Sequence, residues 1–204
     1  MLKLNEKDID ISAKVLSSGE ILAFPTETVY GVGVVYDDEA AFTKLVNLKK
    51  RPPNKPFALM CSSLEDAFKY VDVGPKAKAL MEHFLPGELT VLVNAKPLLP
   101  NWVTLGTGVI GIRVPDSSWV RSLIGKVGKP CLVTSANRSG EPTSRFYDDV
   151  LKIFDGEVGG IVKGECTSLI PSTIVNLTSE KEIVLVRQGP IPFATLEDYW
   201  KGIK

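Results

Sequence analysis

Apolar residues along the chain form two kinds of pattern, short continuous runs and segments of helical period. Continuous runs of strand length predict strands at 21–24, 32–35, 57–61, 89–93, 108–114, 131–134 and 183–186. Apolar residues three and four positions apart predict helices at 8–18, 38–51, 62–70, 75–85 and 117–124. Because strands and helices alternate, the pattern is typical of an α/β fold.

The spacing of two strand pairs indicates how the sheet is connected. Residues 20–36 and 172–187 have the short spacing of hairpins, which argues against a purely parallel sheet. We therefore expect a twisted, mixed sheet flanked by helices. The sequence shows no internal repeat, low-complexity tract or linker, so a single domain over residues 1–204 is expected.

Composition and charge are those of an ordinary globular protein. The 204 residues are 44% hydrophobic and 24% charged, and the net charge is zero. The chain therefore lacks the overall positive charge that would indicate a nucleic-acid-binding protein. The longest apolar runs fall far below the roughly 18 residues of a membrane span. The first residues also lack the pattern of a signal peptide, so we expect a cytoplasmic protein with no membrane partner.

Residues that commonly bind metals are sparse. The cysteines, Cys61, Cys131 and Cys166, are widely separated, which favours neither a metal knuckle nor a disulfide framework. The one histidine, His83, lies inside a predicted helix without a nearby cysteine. The sequence therefore predicts no metal site built from protein side chains.

Small polar residues interrupt the first two predicted strands. Thr26, Glu27 and Thr28 lie between the runs 21–24 and 32–35. Pro25 cannot donate to a sheet ladder and belongs at a strand end, so these side chains are expected to line a cleft there. The alternative is a turn in which the threonines cap free backbone groups.

A group of cations lies at the end of the second predicted helix, beside prolines, in the sequence Lys49-Lys50-Arg51-Pro52-Pro53-Asn54-Lys55-Pro56. Pro52 favours an extended conformation at Arg51, and residues two apart in an extended segment face the same way. Lys49 and Arg51 are therefore expected to converge on one anion, with Lys50 pointing away. The alternative is that these cations only complement the helix dipole, worth about 0.3–1 kcal/mol each.

Hydroxyl and amide side chains follow the strand predicted at 131–134. Ser135 and Asn137 share one face by their spacing of two, and α/β proteins bind ligands at strand ends, so the pair suits ribose or phosphate oxygens. A local Asx or Ser turn is the alternative. Ser172 and Thr173, with Arg187 after the next run, form a further polar group.

These motifs, in this order, resemble the YrdC/TsaC family. They occupy 24–33, 49–56, 86–90, 111–115, 134–140, 171–175 and 187–189, and the resemblance covers about residues 8–190. Each motif alone is weak, whereas their conjunction is specific. The resemblance implies a YrdC-like twisted open sheet with a concave, positively charged cavity, in the short, single-domain form without a lid domain.

The resemblance also implies an activity. Members of the family are nucleotidyltransferases that convert L-threonine, bicarbonate and ATP into L-threonylcarbamoyl-AMP and pyrophosphate, the first step of N6-threonylcarbamoyladenosine synthesis in tRNA. Mg²⁺ is expected to be held mainly through the triphosphate. The expected downstream partner is a threonylcarbamoyl transferase complex, and direct contact with tRNA or double-stranded RNA is left open.

The resemblance assigns roles to residues of this chain. Those that match the family's Lys-x-Arg and Ser-x-Asn pairs, expected to contact the phosphates or assist the transfer, are Lys49, Arg51, Ser135 and Asn137. The expected ATP site adds Lys55, Thr143 and Arg187 to Arg51, Ser135 and Asn137. The expected L-threonine site consists of Thr26, Thr28, Arg113, Ser172 and Thr173, with Arg113 on the carboxylate.

Some positions depart from the family pattern. Met60 replaces a frequent histidine, Asn176 a frequent aspartate, and Lys55 a frequent asparagine. No general base follows from the sequence, and Glu27 is the nearest candidate by position.

Two other functions are alternatives to adenylate synthesis, and the sequence disfavours both. A double-stranded RNA or tRNA-binding module of the same fold is disfavoured by the neutral net charge, because such binding depends on phosphate neutralisation. Carbamoyl transfer in hydrogenase maturation is disfavoured because the sequence lacks the zinc motifs and acylphosphatase-like region of those proteins.

Overall fold

The computed structural model describes residues 1–52, 56–168 and 170–203. The strands are β1 (Leu2–Asn5), β2 (Leu22–Phe24), β3 (Gly31–Val35), β4 (Ala58–Met60), β5 (Val71–Asp72), β6 (Leu89–Ala95), β7 (Val109–Arg113), β8 (Cys131–Ser135), β9 (Gly160–Lys163), β10 (Thr173–Asn176) and β11 (Val184–Arg187). The α-helices are α1 (Ile9–Ser17), α2 (Glu39–Lys49), α3 (Leu64–Ala67), α4 (Pro75–Phe84), α5 (Ser118–Val127), α6 (Tyr147–Phe154) and α7 (Phe193–Gly202), and a 3-10 helix spans Glu6–Asp8.

One mixed sheet contains the strands of the described residues. Their order is β1-β9-β2-β3-β8-β4-β7-β6-β10-β11, and β5 pairs with β6. The pairs β2–β3 and β10–β11 are antiparallel, whereas β1–β9, β4–β7 and β6–β10 are parallel. The expected α/β class and the expected mixed sheet are both confirmed.

Helix boundaries follow the capping residues of the sequence closely. Asp38 accepts a hydrogen bond from Ala41 N at the start of α2 (2.9 Å), and Gly19 takes a left-handed conformation after α1. The cap of α3 lies one residue later than predicted, because Ser63 accepts from Asp66 N (3.1 Å).

Two apolar cores lie on opposite faces of the sheet. Helices α1 and α5 form one core with β1, β2, β3, β4, β8 and β9, and the core on the other face includes residues of α2, α4, α6 and α7. Because side chains alternate along a strand, Leu22 and Phe24 belong to the first core and Ala23 to the second. Among the described residues, the first core includes none from β6, β7 or β10, so that part of its face is open.

Two further expectations concern cysteines and membranes. Cys61, Cys131 and Cys166 are free thiols, the first two buried and the third half-buried. Within the described ranges, the helices are too short or too polar to cross a membrane.

Candidate active site

An open cleft lies over the part of the sheet that α1 and α5 leave uncovered. Its empty volume is about 760 Å³, including the open mouth. Alternate residues of adjacent strands form the floor, among them Met60, Gly111 and Val133. Three arginines line the cleft, Arg51, Arg113 and Arg187, and no acidic residue of the described chain is part of the lining. This arrangement suits an anionic ligand.

Arg113 is held at one end of the cleft by the polar stretch that follows β2. The residue is 8% exposed, and its Nη2 donates to Thr28 Oγ1 at 2.6 Å and to Glu27 Oε1 at 2.9 Å. Thr28 is fully buried behind Arg113. The stretch therefore orients the arginine that a ligand in the cleft would meet.

Thr26 gives the polar stretch its shape. Its hydroxyl donates to Val29 O (2.8 Å) and accepts from Thr28 N (3.2 Å), while its side chain also lines the cleft. The sequence left two interpretations open, a backbone-capping turn and a cleft lining. The structure combines them for Thr26 alone of the three predicted side chains, because Thr28 is buried behind Arg113 and Glu27 borders a neighbouring pocket.

Ser172 faces the cleft near Arg113. Its Oγ lies 2.9 Å from Thr90 Oγ1, and Arg187 donates to Ser172 O from Nε (3.1 Å) and Nη2 (2.7 Å). Thr173 points the other way, where its hydroxyl donates to Ile191 O (2.8 Å) and accepts from Gly189 N (3.0 Å). Of the predicted pair, Ser172 and not Thr173 lies in the cleft, because successive side chains of an extended segment alternate between faces.

Two of the arginines lie close enough to affect each other electrostatically. Burial lowers the pKa of Arg187, and the charge of Arg113 lowers this pKa further. Like charges disfavour each other's ionised form. A carboxylate or phosphate between the two guanidinium groups would remove that repulsion.

Arg51 lines the cleft beside Thr134 and Phe57. Its Nη1 donates to Thr134 Oγ1 (3.2 Å), its Nη2 donates to Pro56 O (2.6 Å), and its Cζ lies 4.3 Å from the centre of the Phe57 ring. Burial lowers the pKa of Arg51. Stacking and hydrogen bonds together fix the plane of this guanidinium, with Ser135 beside it in the cleft lining.

The predicted route by which Lys49 and Arg51 converge is wrong. The segment is not extended, since Lys49 ends α2 and Lys50 takes the left-handed conformation with φ of 48°. The prolines that follow therefore do not align Lys49 with Arg51 by the spacing of a strand.

Lys49 is 1% exposed and does not belong to the cleft lining. Its ammonium donates to Ser135 O, Asn137 O and Asn137 Oδ1, the last at 2.8 Å. An ammonium has three N–H groups, so this set of acceptors uses all of them. Burial, and then the charges of Arg51 and Arg138, lower the pKa of Lys49 to about 7.

Asn137 also lies behind the cleft, where it braces the loop after β8. Its Oδ1 accepts from Ser135 Oγ (2.7 Å), and its Nδ2 donates to Glu141 O (2.6 Å). The Asx-turn alternative thus describes part of what this residue does. Of the residues predicted to be catalytic, Arg51 and Ser135 line the cleft, while Lys49 and Asn137 support them.

Sequence reasoning missed two hydroxyl groups of the cleft. Thr90 contacts Ser172, and Thr134 accepts from Arg51. Thr90 had a detectable signal, because it is the polar member of a strand whose neighbours Leu89 and Val91 face the other core. Thr134 had none, since only the position of Arg51 shows what it does.

Comparison with known proteins identifies the family of the chain. A family profile, Sua5_yciO_yrdC, described as Telomere recombination, matches residues 14–189. The chain belongs to the Sua5/YciO/YrdC family. The resemblance to the YrdC/TsaC family predicted from the motifs is thereby confirmed.

Relatives in the Sua5/YciO/YrdC family include named synthases. Threonylcarbamoyl-AMP synthase of Bacillus subtilis is 35% identical over 199 residues, covering 96% of this chain and 57% of that protein. Putative threonylcarbamoyl-AMP synthase of Methanocaldococcus jannaschii is 33% identical over 199 residues, covering 95% of this chain and 93% of that protein.

A solved structure of the same family also matches. The crystal structure of P. abyssi Sua5 complexed with L-threonine has a TM-score of 0.91 at 30% identity and covers 97% of this chain and 60% of that chain. This chain therefore spans little more than half the length of the Bacillus protein and of the P. abyssi chain.

Three other positions that the sequence singled out in this Sua5/YciO/YrdC chain lie in different places relative to the cleft. Met60 is 2% exposed on β4 and pairs in register with Arg113 of β7, so this departure from the family pattern lies beside the arginine. Thr143 is half-buried in the loop after β8 and is not part of the cleft lining. Lys55 lies outside the described residues.

Proposed function

We propose that this chain synthesises L-threonylcarbamoyl-AMP from L-threonine, bicarbonate and ATP, with release of pyrophosphate. The observation that carries the proposal is one cleft in which guanidinium groups lie beside different hydroxyl partners. Arg113 lies beside hydroxyl groups that suit an amino acid, and Arg51 lies beside Thr134 and Ser135, which suit phosphate oxygens. The names of the Bacillus and Methanocaldococcus relatives and the L-threonine complex of P. abyssi Sua5 support it.

The proposed chemistry is a nucleotidyl transfer that needs no covalent intermediate with the protein. The amine of L-threonine and bicarbonate form a carbamate with loss of water. A carbamate oxygen then attacks the α-phosphorus of ATP, and the bond to pyrophosphate breaks. Positioning and charge stabilisation are sufficient for such a transfer.

Each lining group has a role in this scheme. Arg113 binds the carboxylate of L-threonine, with Ser172 and Thr26 nearby, while Arg51 and Ser135 bind phosphate oxygens of ATP. Arg187 contacts the nucleotide where it meets the amino acid. Lys49 and Asn137 act through the loop after β8, because their polar atoms are bonded to that loop.

Mg²⁺ is proposed to be held through the oxygens of the triphosphate. Over 1–52, 56–168 and 170–203, no group of three or more His, Cys, Asp or Glu side chains is placed to hold a metal ion. The described residues thus offer no ligand set of their own, and no step of the reaction is assigned to one.

The proposal includes a place in the cell. The reaction is the first step of N6-threonylcarbamoyladenosine synthesis and takes place in the cytoplasm, and its product passes to a threonylcarbamoyl transferase complex. A gel shift over a salt series tests the RNA-binding alternative. Tight binding of tRNA or duplex RNA that weakens steeply with salt, without synthesis, would favour that alternative.

The direct test is a reaction with single omissions. Purified protein is incubated with L-threonine, bicarbonate, ATP and Mg²⁺, pyrophosphate release is followed, and the adenylate product is identified by mass spectrometry. The proposal expects pyrophosphate only when all three substrates are present. Conversion of ATP that does not depend on L-threonine or bicarbonate, or no conversion at all, contradicts it.

A further inference from the structure

The pair formed by Glu27 and Arg113 is buried but incompletely bonded. The two side chains are 10% and 9% exposed, and one bond joins them, from Nη2 to Oε1 at 2.9 Å. Among the described residues, Glu27 Oε2 and Arg113 Nε are buried polar atoms without a hydrogen-bond partner. Buried ion pairs usually satisfy such atoms, so this arrangement calls for a functional account.

The remaining donors of Arg113 show which part of the guanidinium is available. Nη2 gives its two N–H groups to Glu27 Oε1 and Thr28 Oγ1. Nη1 makes no hydrogen bond to the described residues. Unlike Nε, it is not one of the buried polar atoms that lack a partner, so it remains accessible. Since Arg113 lines the cleft, Nη1 is the nitrogen that a ligand can reach.

Glu27 itself is anchored by its main chain. Its carbonyl oxygen accepts from Ser168 N (2.8 Å) and from Thr167 Oγ1 (2.9 Å). The residue is therefore fixed at its backbone by one segment and at its carboxylate by Arg113. Such a side chain can set the angle at which the guanidinium faces the cleft.

We propose that Glu27 is a positioning residue that orients Arg113 so that Nη1 meets the α-carboxylate of the amino-acid substrate. The inference rests on the proposed function, because it takes L-threonine as the ligand at this end of the cleft. It gives Glu27 a role other than that of a general base, since Oε1 is bonded to Arg113 and Oε2 is buried.

Position and charge predict opposite effects of Glu27 on substrate binding. A carboxylate near the binding nitrogen repels the carboxylate of the substrate, so charge alone predicts tighter L-threonine binding when Glu27 is neutralised. Orientation predicts weaker L-threonine binding when the accepting oxygen is moved, because an arginine recognises a carboxylate only when its guanidinium N–H groups point at the carboxylate oxygens. The accepting oxygen, and not the charge, is the feature that should matter.

Two conservative variants separate the effect of charge from the effect of orientation. Glu27→Gln keeps the length and an accepting oxygen without the charge, whereas Glu27→Asp keeps the charge and draws the oxygen back by one methylene. Misplacement by about 1 Å can cost up to about 100-fold, so Glu27→Asp should raise KM for L-threonine at least ~10-fold. Glu27→Gln should stay within ~3-fold of wild type, and KM for ATP should change less than ~2-fold in both.

Asp116→Asn is the matched control. Asp116 borders the same pocket as Glu27, its side chain is 71% exposed, and it pairs with Arg121, not with Arg113. Removing its charge should leave KM for L-threonine unchanged. An equal shift in this variant would assign the effect to the local electric field and overturn the proposal.

The outcomes separate this inference from the proposed function. Wild type that makes no product and binds no L-threonine by calorimetry overturns the proposed function and this inference with it. Active wild type with a normal Glu27→Asp and tighter L-threonine binding in Glu27→Gln overturns the inference alone, because charge is then decisive. Equal increases in KM for ATP and L-threonine overturn it as well, since they indicate general damage to the fold.

Discussion

Lys49 and Asn137 are joined twice, because the buried ammonium donates to both the main-chain oxygen and the Oδ1 of the same asparagine. A further bond runs from Lys49 to Ser135 O. The end of α2 is thereby tied both to the end of β8, where Ser135 enters the cleft, and to the loop that follows. The lysine of the Lys-x-Arg motif thus supports the site from behind, while the arginine lines the cleft.

Replacing Lys49 with methionine should loosen this loop. The variant leaves buried acceptors unsatisfied, each of which costs about 1–3 kcal/mol, so the free energy of unfolding should fall by several kcal/mol. Synthesis should fall at least ~100-fold, because Ser135 loses its position. Urea unfolding and initial rates of pyrophosphate release measure the two effects.

Lys50→Asn is the control for that variant. Lys50 is exposed and left-handed, a conformation that asparagine tolerates, so loss of this neighbouring cation should change neither stability nor rate appreciably. Equal losses in both variants would mean that net positive charge, and not the buried contacts, matters at this helix end.

The lowered pKa of Lys49 predicts a pH dependence of stability. The pKa is about 7 in the folded chain, against an ordinary value of 10.5. Between these values the unfolded chain binds more protons than the folded chain, so stability increases with pH by at most about 1.4 kcal/mol per unit. Below pH 7 both states are protonated, and the destabilising contribution is constant.

This dependence is measured as the difference between wild type and Lys49→Met in urea unfolding from pH 6.5 to 9.5. The difference should shift in favour of wild type as the pH rises, since the other titrating groups are common to both proteins. A constant difference would show that the three acceptors keep the pKa of Lys49 near its ordinary value.

Arg113→Lys should separate the two ends of the cleft. A lysine keeps the charge but cannot reproduce the fork that binds Thr28 and Glu27 while facing a carboxylate. KM for L-threonine should rise at least ~10-fold while the affinity for ATP changes little. Titration of each substrate by calorimetry or pyrophosphate release gives the comparison.

Arg121→Lys is the matched control, since Arg121 donates to Pro115 O outside the cleft lining. It should behave like wild type. Loss of ATP affinity with normal L-threonine affinity in Arg113→Lys would place Arg113 in the phosphate site.

Gly189→Ala should displace the segment that carries Ser172. A Cβ at Gly189 would contact backbone atoms of Pro171, Ser172 and Thr173, which cannot move independently of the strand. We expect a loss of about 1–3 kcal/mol in stability and weaker L-threonine binding. Gly125→Ala in α5 is the control, because its Cβ meets no atom within 4 Å and should stabilise the helix by about 0.5–1 kcal/mol.

The sequence was sufficient to predict the elements with strong local signals. Helix α2 has a capping aspartate, an apolar stripe and a proline beyond its end, and its bounds agree closely with the prediction. Strands β1, β5 and β9 and helices α6 and α7 were not predicted. β1 pairs with β9 from a distant part of the chain, and β5 has two residues, so neither carries a local pattern. Helix α6 begins at Tyr147, and its N-cap residue, Phe146, makes no side-chain capping bond.

The site was predictable where a residue's face follows from strand alternation. Arg113 and Ser135 lie at strand ends, where alternation along the strand decides which face each side chain is on, and both line the cleft. Lys49 was not predictable, because its direction is set by the left-handed residue that follows and by acceptors on a distant loop. Thr173 was assigned with Ser172 only because the sequence does not show which of two neighbours faces inward.

A cleft whose floor is a sheet divides its strand residues into two sets that face opposite sides of the sheet. On β4, β7 and β8 the residues that face the cleft include Met60, Gly111 and Val133, whereas the intervening Leu59, Ile112 and Leu132 pack in the core on the other side. Met60 and Val133 also belong to the core beneath α1 and α5, so the first set serves both the cleft and the packing. Variants in the first set should therefore change the shape of the cleft and the heat resistance together, whereas variants in the second set should act through heat resistance.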